Sequence, residues 1–163
     1  MSARILVLAA IILAAAAPIP ALAAPDDPDP GDAPALRECV KSKGGTKAGD
    51  ATCVEMIVKT CMTAFGNDHD STVRDCNRRS EAAWDVILNA EYGALRDKLP
   101  AAQMAKLRDQ QRAWIKAKDK KCNAIYKKFQ GAMAYPPMAV CFNCEVARRA
   151  LYLMRYQTAA KSL

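Results

Sequence analysis

Apolar residues recur along most of this chain at intervals of three and four, the period of a helix with one buried face. The clearest run begins at Ser71, a good N-cap residue, and passes through Trp84, Ile87, Leu88, Tyr92, Leu95 and Leu99. Pro100 ends it, because proline lacks an amide donor and pushes the residue before it out of helical geometry. A second long helix is predicted from Pro100, which is tolerated in a first turn. Its expected buried stripe is Met104, Leu107, Gln111, Trp114, Ile115, Cys122, Ile125 and Phe129, with Lys106, Asp109, Lys116 and Lys120 on the opposite side. A connector from Gly131 to Pro137 leads into a last helix ending near Ala160. Its inner face is read as Cys141, Cys144, Arg148, Leu151, Tyr152 and Arg155 or their near neighbours.

The earlier part of the chain is less periodic. A short helical turn over Arg37 to Lys41 is followed by the Gly44, Gly45 break. A helix from Asp50 to Ala64 comes next and stops at Gly66, Asn67 and Asp68. No stretch alternates apolar and polar residues between turn signals, so no strand is predicted. The expected fold is all-α: a small disulfide-stapled bundle built on a long antiparallel helical hairpin, because short connections place consecutive long helices side by side.

The N-terminus changes the picture of where this bundle resides. Arg4, the apolar run from Ile5 to Ala17, and the small-residue tripeptide Ala21, Leu22, Ala23 read as a secretory signal peptide, residues 1–23, cut after Ala23. The run is shorter than the roughly 20 residues that a membrane-spanning helix requires. No Cys follows the cleavage site to carry a lipid anchor. A periplasmic or secreted product is therefore expected, with no transmembrane segment after signal removal. Residues 24–35, rich in Pro, Asp and Ala, read as a disordered acidic tether, and residues 36–163 as one helical domain. Asp26, Asp27, Asp29 and Asp32 concentrate acid in the tether, so the body is more basic than the net +7 of the whole chain. Such a body attracts anionic partners or simply keeps itself soluble.

Seven cysteines, Cys39, Cys53, Cys61, Cys76, Cys122, Cys141 and Cys144, suit an oxidising compartment. Three bridges leave one thiol over, and sequence leaves several pairings open. The preferred set joins Cys61 to Cys76, Cys122 to Cys141 and Cys39 to Cys53, since the first two clip consecutive helices across a loop. Cys144 is then the spare. Cys141 and Cys144 also form a CxxC pair, the spacing of redox and metal motifs, and a redox helper is one reading of it. The βαβ setting of such redox motifs is missing, no second CxxC completes a zinc site, and Glu145 stands where haem attachment requires His.

Catalytic and cofactor motifs are absent from the reading: no phosphate loop, no HExxH, no G-x-S-x-G, no metal set. The single histidine, His69, lies in a polar loop between Asp68 and Asp70. Glu81 and Asp85 stand one helical turn apart, but two carboxylates on one exposed helix face no cleft. The expectation is a binding protein rather than an enzyme, with no cofactor and no nucleic-acid partner.

In its central stretch the chain resembles the LprI-type lysozyme inhibitors. The matching residues are Cys76; Asp85, Leu88, Asn89 and Tyr92 as D-x-x-L-N-x-x-Y; Leu107, Gln110 or Gln111, Arg112 and Trp114 as L-x-x-x-Q-R-x-W; then Cys122, Gly131, Cys141, Arg149 and Leu153. The resemblance extends from Cys61 to Tyr156. It implies a protein that binds a lysozyme-like muramidase or another cell-wall lytic enzyme. Lys118 before Asp119 departs from the family's usual Arg, and the segment with Cys39 and Cys53 and the extra Cys144 are additions. From the residues alone, Asp85, Asn89 and Tyr92 share a helix side, and with Arg112 and Arg149 they read as an internal polar network. Met133 and Tyr135 in the connector, or the Gly44 to Asp50 loop, are the candidate contact segments. A second reading is a basic envelope module for anionic cell-wall polymer such as peptidoglycan, or for an envelope protein.

Overall fold

The computed structural model describes residues 29–66 and 68–161, with side chains to Tyr156. The expected signal peptide (residues 1–23), residues 24–28 of the expected tether, and Asn67 lie outside the described residues. Five α-helices follow in order: α1 (Asp32–Lys43), α2 (Lys47–Phe65), α3 (Asp70–Arg96), α4 (Ala101–Phe129) and α5 (Tyr135–Lys161), with one 3-10 turn (Gly131–Ala134) before α5. There is no strand among the described residues. The all-α, disulfide-stapled class is as expected.

Local chemistry accounts for the helix ends. Thr46 caps α2, its hydroxyl accepting from the Gly49 amide at 3.0 Å, so α2 starts three residues before the expected Asp50. Gly49 itself is required by close approach: a Cβ there would sit 1.7 Å from the Lys43 carbonyl oxygen. Gly66 ends α2 in the left-handed conformation, its amide donating to Met62 and Thr63. α3 begins at Asp70, with His69 exposed at its N-cap position.

The three disulfides join Cys39 to Cys53, Cys61 to Cys76 and Cys122 to Cys141, and Cys144 keeps its thiol. These are the pairs preferred from the sequence. They tie α1 to α2, α2 to α3 and α4 to α5 in turn, each near a turn between neighbours.

The helix pairing differs from the expected hairpin of α3 with α4. The most extensive packing is of α3 on α5, and α4 packs chiefly on α5. Small buried residues explain it: Ser80 and Ala83 of α3 meet a face of α5 that carries Ala147 and Ala150, which lets two helix backbones approach closely. Asn77 and Asn143, both buried near the starts of their helices, hydrogen-bond across this interface, so α3 and α5 run in the same direction. The antiparallel hairpin that the structure does build is α4 with α5, pinned at one end by Cys122–Cys141 and further along by Gln111 with Arg149.

The core therefore centres on Trp84, Ile87, Leu88 and Leu95 of α3 against Val146, Ala150, Leu151 and Leu153 of α5, closed by Leu36, Ile57 and Leu107. Two expected faces need correction. On α4 only Leu107 and Cys122 are buried, while Ile115 and Phe129 are exposed, because among the described residues no helix covers the far side of α4. On α5 the inner face is Ala139, Asn143, Val146, Ala147, Ala150 and Leu151, and Arg148, Tyr152 and Arg155 look outward. Trp84, fully buried at the middle of the α3–α5 contact, is expected to lose about 3–5 kcal/mol on replacement by Ala. Urea unfolding would show this as a lower midpoint at an unchanged slope.

The tether also ends earlier than expected. α1 begins at Asp32, whose carboxylate is buried and accepts two hydrogen bonds from Arg79 of α3, at 2.7 and 2.8 Å. That hydrogen bonding raises the Arg79 pKa above its ordinary value, outweighing desolvation, with the charges of Asp32 and Asp29 adding to it. Glu91 of α3 accepts a hydrogen bond from Arg37 of α1, a second ion pair between these helices. Residues 32–35 are thus part of the folded body.

Candidate binding surface

The end of the α4–α5 hairpin concentrates exposed apolar side chains. α4 stops at Phe129, and Gln130 and Gly131 both take positive φ, 51° and 56°, to reverse the chain. At Gly131 this costs nothing sterically, whereas a β-branched residue there would be strained. Ala134 plugs the 3-10 turn into the body at 0% exposure. Around it Met133 is 66% exposed and Tyr135, Tyr126 and Phe129 are 46%, 44% and 41% exposed. The Tyr126 and Tyr135 rings lie 6.4 Å apart, and Lys128 stands over Phe129 at 5.3 Å. The Cys122–Cys141 bridge fixes the base of this end. Clustered exposed apolar groups of this kind are a feature of interaction sites, which makes this end the candidate surface.

The motif residues separate into two groups rather than closing one internal network. Asp85 and Asn89 are exposed and bonded to each other at 2.7 Å, and Arg112 is exposed beside Asp109. Leu88 is buried and Tyr92 packs on the edge of the core. The second group bridges α4 and α5: Arg149 donates to Gln111 at 2.7 Å and lies over the rings of Tyr152 at 4.7 Å and Trp114 at 5.7 Å. Burial lowers the Arg149 pKa from its usual value, opposed by Tyr152. The network fails to close because α5, rather than α4, takes the inner side of α3. Asp85 and Asn89 are left facing solvent.

One carboxylate departs from the sequence expectation. Glu81 lines a cavity of about 240 Å³ between the N-terminal half of α3 and the first turns of α5, with Lys118 of α4 as a third wall and Arg74, Arg78, Tyr135 and Phe142 among the other lining residues. Burial raises the Glu81 pKa, and Asp85 adds to the rise against the opposing charges of Lys118 and Arg78. The expected partner Asp85 does not line this cavity, so no pair of carboxylates faces across it. A raised carboxylate pKa means the folded protein binds more protons than the unfolded chain. Its contribution falls as pH rises from the ordinary Glu value through the raised one. Glu81→Gln should therefore raise the melting temperature at pH 7, and the gain should vanish near pH 4, as read by calorimetry across pH. The i,i+4 spacing of Arg74 and Arg78 was a visible sign of a basic helix face, but nothing local showed that Lys118 would join it.

A second cavity, about 410 Å³, lies between α2 and α5, with Lys47, Asp50, Cys144, Arg148 and Arg155 in its lining. Cys141 is consumed by its bridge to Cys122, so the CxxC spacing does not form a redox pair. Among the described residues no cluster of three acidic, His or Cys side chains is arranged to hold a metal ion. No helix among them is long and apolar enough to cross a membrane.

These features define an all-helical scaffold, stapled by disulfides, with exposed apolar side chains at the end of its α4–α5 hairpin. The model of the family described as "Lysozyme inhibitor LprI" matches residues 61–153, more than half of the chain, and the chain belongs to that family. The match starts at the Cys61 that staples α2 to α3 and takes in the whole α4–α5 hairpin end; α1 and the Cys39–Cys53 bridge precede it. Neither a curated protein nor a solved structure gives a match.

Proposed function

We propose that the protein is an exported inhibitor of a lysozyme-type cell-wall lytic enzyme, acting in the periplasm or outside the cell to protect the producer's wall. Family membership over residues 61–153 carries this reading. Three disulfides support the oxidising compartment, and residues 1–23 supply the signal peptide that would deliver the chain there. The function is binding: the protein covers or fills the enzyme's substrate cleft without transforming anything itself.

The contact surface in this reading is the hairpin end with Met133 and Tyr135. Inhibition benefits from a surface that is ordered before binding, because little conformational freedom is then lost on association. The end meets that need, held by Cys122–Cys141 below and Ala134 within. Aromatic and Met side chains are the residue types that dominate binding energy at the centre of interfaces. The basic charge of the chain selects among targets: it slows approach to a basic lysozyme and favours a lytic enzyme with an acidic cleft rim.

A panel of basic and acidic muramidases, assayed on cell walls with increasing protein, tests the proposal. Stoichiometric loss of activity in at least one enzyme is the expected outcome. Full activity of every enzyme at high molar excess would reject it. Salt-sensitive sedimentation with insoluble peptidoglycan in the same experiment would point instead to a wall-binding module.

A further inference from the structure

We propose that the outer face of α4 is a docking surface for an anionic phospholipid bilayer, on which it holds the protein by charge and without insertion. The inference goes beyond the inhibitor reading and uses neither Met133 nor Tyr135. α4 carries nine Lys and Arg against two Asp, an excess equal to the net +7 of the whole chain. The two acids are engaged by Arg112 at 3.9 Å and Lys118 at 3.2 Å, and Lys121 reaches across to Glu145 of α5. Lys106, Arg108, Lys116, Lys120 and Lys127 are exposed and have no ion-pair partner among the described residues. By contrast, each of the other helices has cations that find carboxylates: Arg37 with Glu91, Lys59 with Glu55, Arg79 with Asp32 and Arg155 with Asp50.

The helix repeat gathers these charges on one side. The face of α4 that meets α5 runs through Leu107, Gln111 and Cys122. At about 100° per residue, Lys116, Lys120 and Lys127 fall opposite that face, in one line about 17 Å long. Arg112 extends the line by one turn. Like charges one turn apart weaken a helix, so the stripe is maintained against the stability of α4. The neighbouring outward positions Ala113, Asn123 and Ala124 offer no aromatic or branched apolar anchor. Protein interfaces centre on such anchors and are poor in Lys. A lysine ammonium is a hydrated point charge on a flexible stem, without the fixed fork that recognises one rigid partner. It matches mobile anionic headgroups, which can gather beneath each cation. The negative potential of an anionic bilayer favours each Lys or Arg near its surface by about fivefold in binding.

Sedimentation of the oxidised protein with vesicles tests the docking surface, without any enzyme present. One set of vesicles is pure phosphatidylcholine; the other contains roughly a third phosphatidylglycerol, enough to give the surface a negative potential. Binding to the anionic vesicles alone, released as rising salt screens the charges, is the expected result. The triple variant Lys116→Gln, Lys120→Gln, Lys127→Gln should bind on the order of 100-fold more weakly. Its melting temperature should be unchanged or higher, because like-charge repulsion along α4 is removed. The comparison variant Lys41→Gln, Lys43→Gln, Lys59→Gln removes the same net charge from exposed positions on α1 and α2 and should weaken binding less than about threefold. Equal weakening by the two triples would overturn the proposal, since net charge and not the α4 face would then be responsible. Binding to neutral vesicles, or binding that persists in high salt and is lost on Met133→Asp, would overturn it in favour of insertion of the hairpin end. No vesicle binding, with α4-dependent sedimentation on insoluble peptidoglycan, would overturn it in favour of a wall polymer as the anionic partner. A muramidase panel with no inhibited enzyme would remove the inhibitor reading and leave the vesicle result unaffected.

Discussion

Full reduction of the three disulfides is expected to abolish the cooperative thermal transition of this protein at physiological temperature. The bridges close loops of 14, 15 and 19 residues, for which loop-entropy loss in the unfolded chain amounts to about 3 kcal/mol each. The loops follow one another without overlap, so their effects on the unfolded ensemble add to a first approximation. The sum, on the order of 9 kcal/mol, is comparable with the whole net stability of an ordinary domain, about 5–15 kcal/mol. The helical core around Trp84 is left to hold alone. It is narrow, because α4 contributes so little to it. Calorimetry with and without reductant, with thiol counting to establish complete reduction, checks this. A transition that survives full reduction with its midpoint unchanged would show that packing alone suffices. Among the single bridges, Cys122–Cys141 is the informative one. A Cys122→Ser, Cys141→Ser double variant should lose about 3 kcal/mol and also loosen the end that carries Met133 and Tyr135.

The second large effect concerns that end directly. Met133→Asp and Tyr135→Asp place a charge at positions where the wild-type side chains are 66% and 46% exposed. Exposed substitutions of this kind change folding stability by about 0.5 kcal/mol or less. If the end enters an enzyme cleft, the same changes remove an apolar anchor and bury an unpaired carboxylate there. Losses of about 2–4 kcal/mol per anchor are typical at the centre of an interface, roughly 30-fold to 1,000-fold in affinity. The expected pattern is an inhibition constant raised by about two orders of magnitude at a nearly constant melting temperature. Variants that inhibit as well as wild type would move the contact surface elsewhere. Ile115→Asp, on the uncovered outer side of α4, serves as a control of equal chemistry at another exposed apolar position.

Much of the helix pattern was legible because its causes are local. Pro100 and Gly66 interrupt the backbone by their own geometry, and the three-and-four spacing of Trp84, Ile87, Leu88 and Leu95 marks one face of α3. The helix starts were less legible: α2 begins at Lys47, capped by Thr46, rather than at Asp50, and Asp32 opens α1 inside what composition suggested was a tether. Asp32 gains a bidentate partner in Arg79, 47 residues further along, and composition counts carry no trace of such a distant pairing. The candidate site divides in the same way. Met133 and Tyr135 were visible as large apolar residues in a connector read from Gly131 to Pro137. The pocket around Glu81 was not, because its walls come from three helices.

The sequence by itself determined that the chain is helical, which residues could face a core, how the cysteines could clip neighbouring turns, and which family the motif spacing resembles. Only the tertiary structure decided which helix lies against which. A periodic apolar stripe says that a face will be covered and leaves open by what; that choice goes to the partner offering the closest approach. On α3 that partner is α5, whose Ala147 and Ala150 are fully buried. From that one selection follow the exposed outer side of α4, the solvent-facing Asp85 and Asn89, and a cationic pocket where a simple hairpin of α3 and α4 was expected.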